Sequence, residues 1–430
     1  MGRLLLYVMI FFTGASLLYA PWITGLAYVA NSLLQPQYIW NWVFQDIPIF
    51  RITAGLAILG FLFALAQKKA NLEIYKNKQN VAILVIWVWV NLSNYFSPYK
   101  GMAASVSPDI VLSTFNSIII MYFVMLPLFV GERALRFLCY LFIAVGVYYV
   151  YWANSAYLNQ EWHKFVNNRL VGPSQSPYRD ANVLSTLIVM CLPFVILLFF
   201  RVKSPIQKAA IIFVTPLAWH AMVLFSSRAA LLASVLSLLP IAYVLRSRKA
   251  NILIATSFIL FLIYQGSMLL DRATDTIESA NVDAEQPLNP RLVSWGAGLR
   301  LIPEYPVFGA GVQMFEAAVA NHFPGTTPHV AHNTFLNFSV NTGLPTGILF
   351  LTLIYISCSR VKVSRNHDYA LTENDYYALT ASSISLFGFF ICSIFLDLII
   401  YEPFYIALMI NLISYNQVMK RSCDLKQNAI

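Results

Sequence analysis

Residues 181–201 read ANVLSTLIVMCLPFVILLFFR, and this stretch decides the architecture. It carries no charge until Arg201 at its far end. A helix rises about 1.5 Å per residue and the hydrocarbon core of a bilayer is about 30 Å thick, so roughly 20 apolar residues cross it. The apolar residues run on without alternating with polar ones, which excludes a strand of a closed barrel. The stretch predicts a transmembrane helix.

The rest of the 430-residue chain repeats the pattern. With 59% hydrophobic and 11% charged residues, it has too little polar surface to coat a soluble globule. Further apolar runs cover 48–67, 81–97, 109–130, 133–152, 207–226, 228–246, 251–269, 333–358, 376–395 and 397–416. Residues 3–34 exceed one span, and Pro21 interrupts them. They read as two spans or as one span with an interfacial piece, and as a retained helix rather than a cleaved signal. Five cysteines without metal-ligand spacing read as structural.

Cytoplasmic loops retain Lys and Arg, so the basic clusters orient the chain. Lys68, Lys69, Lys76 and Lys78 open a series that continues at Arg133 and Arg136, at Arg201, Lys203 and Lys208, and at Arg246, Arg248 and Lys249. It ends with Arg360, Lys362 and Arg365, then Lys420 and Arg421. These clusters fall on every second connector. The expected protein is therefore an all-α, polytopic membrane domain over residues 1–430, with about twelve crossings and a cytoplasmic amino terminus. The net charge of +9 is largely topology, with membrane lipids as expected partners and nucleic acid not.

Two outer connectors are long: 153–180 and 270–332. The second holds Asp271, Arg272, Asp275, Glu278, Asp283, Glu285, Arg291, Arg300, Glu304 and Glu316, with His322, His329 and His332. Leu292, Trp295, Leu299 and Ile302 recur at helical spacing and predict an amphipathic helix over 291–302, stopped by Pro303 and Pro306.

Several residues admit both a bland and a chemical reading. Arg228, after Ser226 and Ser227 at the outer start of a span, is either a snorkelling side chain or an anion clamp, since guanidinium grips phosphate through a planar fork. Arg291, just after Pro290, is either a surface residue or the second arm of a pyrophosphate clamp near a helix amino terminus. His332, followed by Asn333, is either a satisfied interface histidine or a base near neutral pH. His329 dilutes that signal, because a histidine pair with acids nearby also suits a metal, although the spacing of His322, His329 and His332 is not a standard helical ligand pair. Asp180 and Asn182 either cap the 181–201 helix or line a cavity with Arg169 and Gly172. Gly309 and Gly311 mark a turn, too little for a nucleotide fingerprint.

Taken in order, these elements resemble the O-antigen ligase and polymerase superfamily of bacterial membrane glycosyltransferases, with a core over 169–358. The resemblance runs through Asp180 and Asn182, Ser227 and Arg228, Arg291 and Trp295, Pro306, Gly309, Gly311 and Phe315, then His332, Asn333, Gly343 and Gly347. Arg169, Gly172 and Pro173 look most like the exosortase-associated O-glycosylation ligase branch. The resemblance implies an inverting enzyme of the bacterial inner membrane, active at the periplasmic face and needing no metal or nucleotide cofactor. The implied donor is an undecaprenyl-pyrophosphate-linked glycan, and the acceptor a hydroxyl of a glycan, a lipid A core or a protein. Arg228 and Arg291 would neutralise the pyrophosphate and His332 would orient or deprotonate the acceptor, with Arg169, Asp180, Asn182 and Asn333 as substrate contacts. One departure stands out: Asn341 occupies a position where the family often has Glu. A transporter and a non-catalytic partner in polysaccharide export are the alternatives from other classes.

Overall fold

The computed structural model describes residues 2–248 except 103, scattered helical residues between 251 and 263, and residues 290–428 except 325–328 and 367. The span expected over 251–269 and the acids and Arg272 of 271–285 thus lie largely or wholly outside the described residues. Among the described residues the chain is helical, apart from one two-stranded hairpin, β1 (Phe165–Val166) and β2 (Arg169–Leu170).

Seventeen α-helices follow in chain order among those residues: α1 Gly2–Ala15, α2 Trp22–Leu34, α3 Pro36–Ile39, α4 Asn41–Phe44, α5 Ile49–Ala66, α6 Lys78–Tyr95, α7 Pro108–Met125, α8 Glu132–Leu158 and α9 Ala181–Arg201. Then come α10 Pro205–Leu224, α11 Arg228–Leu245, α12 Pro290–Leu301, α13 Phe315–His322, α14 Thr334–Thr342, α15 Leu344–Ser359, α16 Glu373–Ser393 and α17 Glu402–Asn428. Eight described helical segments are long and apolar enough to cross a bilayer: 49–66, 108–129, 132–158, 181–201, 205–224, 228–245, 344–365 and 373–393. The protein is a multi-pass membrane protein. Residues 3–34 break where Pro21 stands, giving two helices that are both shorter than a straight span.

The centre of the bundle is the pair α9 and α16. Every side chain from Leu184 to Leu197 and from Tyr377 to Leu386 is buried, and the two helices pack against each other. Hydrophobic all round, they are core helices rather than lipid-facing ones. On α16 the buried Ser382 and Ser383 accept the Asn411 amide of α17, which keeps these three polar groups paired in the core.

Three sequence expectations change. The run 333–358 is not one helix: Gly343, at φ 91° and ψ 154°, divides it into α14 and α15. The cause is tertiary. The loop before α13 docks at the break, with Ala310 N–H donating to the Val340 carbonyl (2.7 Å), Gly311 N–H to the Asn341 carbonyl (2.8 Å) and Leu344 N–H to the Pro306 carbonyl (3.1 Å). A Cβ on Gly343 would lie 1.9 Å from the Val307 carbonyl oxygen, so only glycine permits this approach. Broken backbone near a membrane persists where it is buried in protein, as here. The second change concerns α12. The helix forms and ends before Pro303 as expected, but Leu292 and Leu299 are exposed, and Ser294, Ala297 and Leu301 form its buried side against α13 and α14. The run 397–416 also starts late, because residues 394–401 form a non-helical connector before α17.

Candidate functional site

All the candidate side chains but Arg169, which lies in β2, sit at a turn or helix start, where backbone groups and side chains can face a ligand. Asp180 caps α9, its Oδ1 accepting the Asn182 N–H at 2.7 Å. Asn182 lies in the first turn, half-buried. Ser227 caps α11 by accepting the Ala230 N–H at 3.4 Å, which leaves Arg228 as the exposed first residue of that helix. Pro290 opens α12 and places Arg291, also exposed, in its first turn. Asn333 caps α14, its Oδ1 accepting the Leu336 N–H at 3.0 Å, so that oxygen is committed to the helix.

Two of these turns are strained. Ser226 (φ 53°) and His332 (φ 44°) occupy the left-handed region that side-chain-bearing residues rarely adopt. Conformations of that kind cost of order 1–3 kcal/mol and persist where the surroundings over-determine them. At His332 the surroundings are visible. The Thr334 hydroxyl donates to the Leu396 carbonyl at 2.8 Å and accepts the Leu398 N–H at 3.1 Å, which ties the start of α14 to the 394–401 connector.

Four of the seven candidates come together electrostatically. The half-buried Arg169 lies within range of Asp180 and Arg291, and His332 within range of Arg291, Asp180, His329 and Glu316. Burial lowers the Arg169 guanidinium below its usual range; Asp180 opposes that shift and Arg291 adds to it. Burial likewise lowers the His332 imidazole, and the Arg291 cation lowers it further, against the opposing pull of Asp180 and Glu316. The imidazole is therefore neutral near pH 7 and able to take a proton. Arg228 joins through the chain: Arg169 Nε donates to the Phe225 carbonyl at 2.7 Å, which ties β2 to the turn that ends in Arg228. Asn333 caps the backbone next to this cluster, and Asn182 follows Asp180 in the first turn of α9.

Sequence reasoning passed over Glu316 and set His329 aside. Nothing in the sequence singles out Glu316, because only the docking of α13 beside α14 brings it within range of His332. Asn341, at the position of the family's frequent Glu, is buried. Its amide donates to Asn337 and its carbonyl also accepts the Ser93 hydroxyl at 2.9 Å, so it belongs to the broken-helix joint. Gly309 and Gly311 belong to that joint too. Among the described residues no group of three or more His, Cys, Asp or Glu could hold a metal ion.

Fold and site together define a multi-pass helical membrane protein that gathers arginines, an acid and a neutral histidine at one end of its bundle. Within that class, residues 211–351 match the family model described as O-Antigen ligase, which supports the O-antigen ligase and polymerase superfamily implied by the ordered motifs. The match spans about a third of the chain and contains Arg228, Arg291 and His332. No curated protein matches the chain.

Proposed function

We propose that this protein transfers a glycan from an undecaprenyl-pyrophosphate carrier to an acceptor hydroxyl at the periplasmic face of a bacterial inner membrane. The observation that carries the reading is the convergence of Arg169, Asp180, Arg291 and His332 from separate segments. They meet at the end of α9 opposite Arg201, the end that charge alternation assigns to the outside.

In the transfer, the acceptor oxygen attacks the anomeric carbon on the face opposite the pyrophosphate. The new C–O bond forms as the bond to the pyrophosphate oxygen breaks, the configuration inverts, and the bonding pair leaves on the pyrophosphate. His332, neutral before reaction, takes the hydroxyl proton. Arg228 and Arg291 neutralise the charge that develops on the leaving group, and Arg169, held by the Phe225 carbonyl, adds a fixed positive potential. Preorganised cations at a poorly hydrated site are worth far more than in water, and guanidinium keeps its charge where an ammonium would lose it more readily.

The test is transfer by the purified protein in lipid, with extracted lipid-linked glycan as donor and the envelope glycolipid of the same cells as acceptor. Arg228→Lys, Arg291→Ala and His332→Ala should each lower the rate by about 10²- to 10³-fold, the usual loss for one preorganised group, with an unchanged thermal midpoint. Full activity in Arg291→Ala overturns the proposal. Ligase and polymerase share this donor chemistry, so the phenotype of a deletion separates them: a glycan ladder collapsed to one repeat marks a polymerase, and accumulated full-length carrier-linked glycan marks a ligase.

A further inference from the structure

A cavity of about 800 Å3 lies beside the arginine and histidine cluster and is distinct from it. The outer ends of α2 and α7, the 175–178 loop and the 394–401 connector enclose it. Its wall at Gln175–Tyr178 leads within two residues to Asp180, so one segment separates the cavity from the cluster. The volume falls within the range of small-ligand sites, about 300–1,000 Å3.

The lining is largely apolar, but it carries an unusual set of polar groups. It contains two carboxylates, Asp397 and Glu402, together with hydroxyls and amides such as Tyr28, Gln37 and Ser113, and among the described residues that line it none is Lys, Arg or His. Both carboxylates lie deep within the protein yet remain partly open, because they face this space. Glu402 accepts the Tyr28 hydroxyl at 2.9 Å and the Ser32 side chain, and Asp397 accepts bonds from the Asn337 side chain and the Ile399 N–H. Each carboxylate has about four acceptor positions, so these partners leave capacity unfilled. A carboxylate enclosed without a cation costs several kcal/mol unless donors reach it.

The lining selects a ligand by exclusion. An anion would be repelled, and a hydrocarbon chain would strand both carboxylates. A ligand dense in uncharged O–H groups supplies the missing donors, while the rings of Tyr38 and Phe50 on the same wall suit the C–H faces of a sugar ring.

We propose that this cavity binds an uncharged sugar of the acceptor, presenting its hydroxyl across the Asp180 wall to the arginine and histidine cluster. The assignment to the acceptor rests on the glycan-transfer reading. The donor's own sugar is tied to a diphosphate, which the arginines attract and the two carboxylates repel.

The experiment uses the full chain in lipid nanodiscs, with Cys423→Ser to remove the exposed native thiol and Ser113→Cys as a reporter on the cavity wall. The rate of maleimide labelling is measured with maltotriose, chitotriose or trigalacturonate at tens of millimolar, and with choline. At least one neutral trisaccharide should slow labelling fivefold or more, trigalacturonate should not, and Glu402→Gln should remove the protection. Protection by neither neutral sugar, equal protection by trigalacturonate, or protection by choline alone each overturns the proposal. Protection by a sugar without glycan transfer by the unaltered protein would defeat the transfer reading and leave the sugar site standing. Transfer without protection would do the reverse.

Discussion

Replacing Gly343 by Ala should disable the protein in a way that no side-chain deletion repairs. At φ 91° and ψ 154° the residue sits in a region essentially reserved for glycine, so Ala there costs about 1–3 kcal/mol before any contact is considered. The new Cβ would lie 1.9 Å from the Val307 carbonyl oxygen and 2.6 Å from its carbon, and backbone cannot swing aside as a side-chain tip can. If the 306–311 loop lifts away, the three hydrogen bonds that dock it on residues 340–344 are lost, at about 1 kcal/mol each. The total reaches about 4–6 kcal/mol. That loop joins α12, which carries Arg291, to α13, which carries Glu316, so activity should fall together with stability. Gly347→Ala is the control. Its Cβ would meet the Ser339 hydroxyl at 2.1 Å, a side-chain atom, so adding Ser339→Ala should restore most of the loss. The assay is the thermal midpoint in detergent alongside glycan transfer for both single variants and both doubles with Ser339→Ala. A Gly343→Ala protein of wild-type midpoint, or one rescued by Ser339→Ala, refutes the reasoning.

Two further outcomes follow from the site. Burial and the Arg291 cation hold the His332 imidazole below its ordinary value of 6.5, so the acid limb of the transfer rate should lie below pH 6.5. Arg291→Gln removes a cation that disfavours the protonated ring, so the residual activity should show that limb moved to higher pH, whereas Arg291→Lys should leave it nearly in place; an unmoved limb in Arg291→Gln would show that the two groups are not coupled. Thr334→Val removes one donor and one acceptor between α14 and the 394–401 connector and should cost about 1–3 kcal/mol, with a loss of transfer at temperatures where the fold persists, since the same anchor fixes the His332 turn. Wild-type transfer in that variant would place the control of His332 elsewhere.

The helices that could be read from sequence are those whose apolar run ends in charge or proline. The α9 helix matches its expected bounds because Asp180 caps one end and Arg201 closes the other. The break at Gly343 went unread although Asn341 and Thr342 precede it and Pro345 follows: glycine is common in membrane helices, and the contact that fixes the break comes from a loop some thirty residues earlier in the chain. Arg228 and His332 stood out because polar groups at span ends are costly and easily seen, and Arg291 because Pro290 before it marks a helix start. Asp397 and Glu402 did not, since an average over 397–416 submerges two acids among Ile, Leu and Phe. The cost of placing a carboxylate in an apolar run was nonetheless a usable signal. The buried side of α12 was misjudged because a periodicity argument assumes that apolar residues face protein, whereas a membrane protein also buries small ones such as Ser294 and Ala297 while leaving Leu299 outward.

The docking of residues 306–311 on 340–344 also bears on the order in which the molecule is made. A ribosome delivers the chain from its amino terminus, so Arg228 emerges early, and Arg291 emerges before the segment that holds the loop after its helix in place. Thr334 then waits for Leu396 and Leu398, near the carboxy terminus, before the His332 turn is anchored. The cationic arm is synthesised first and the proton acceptor is fixed last. A nascent or truncated chain therefore lacks a finished centre, and competence arrives only with the closing helices.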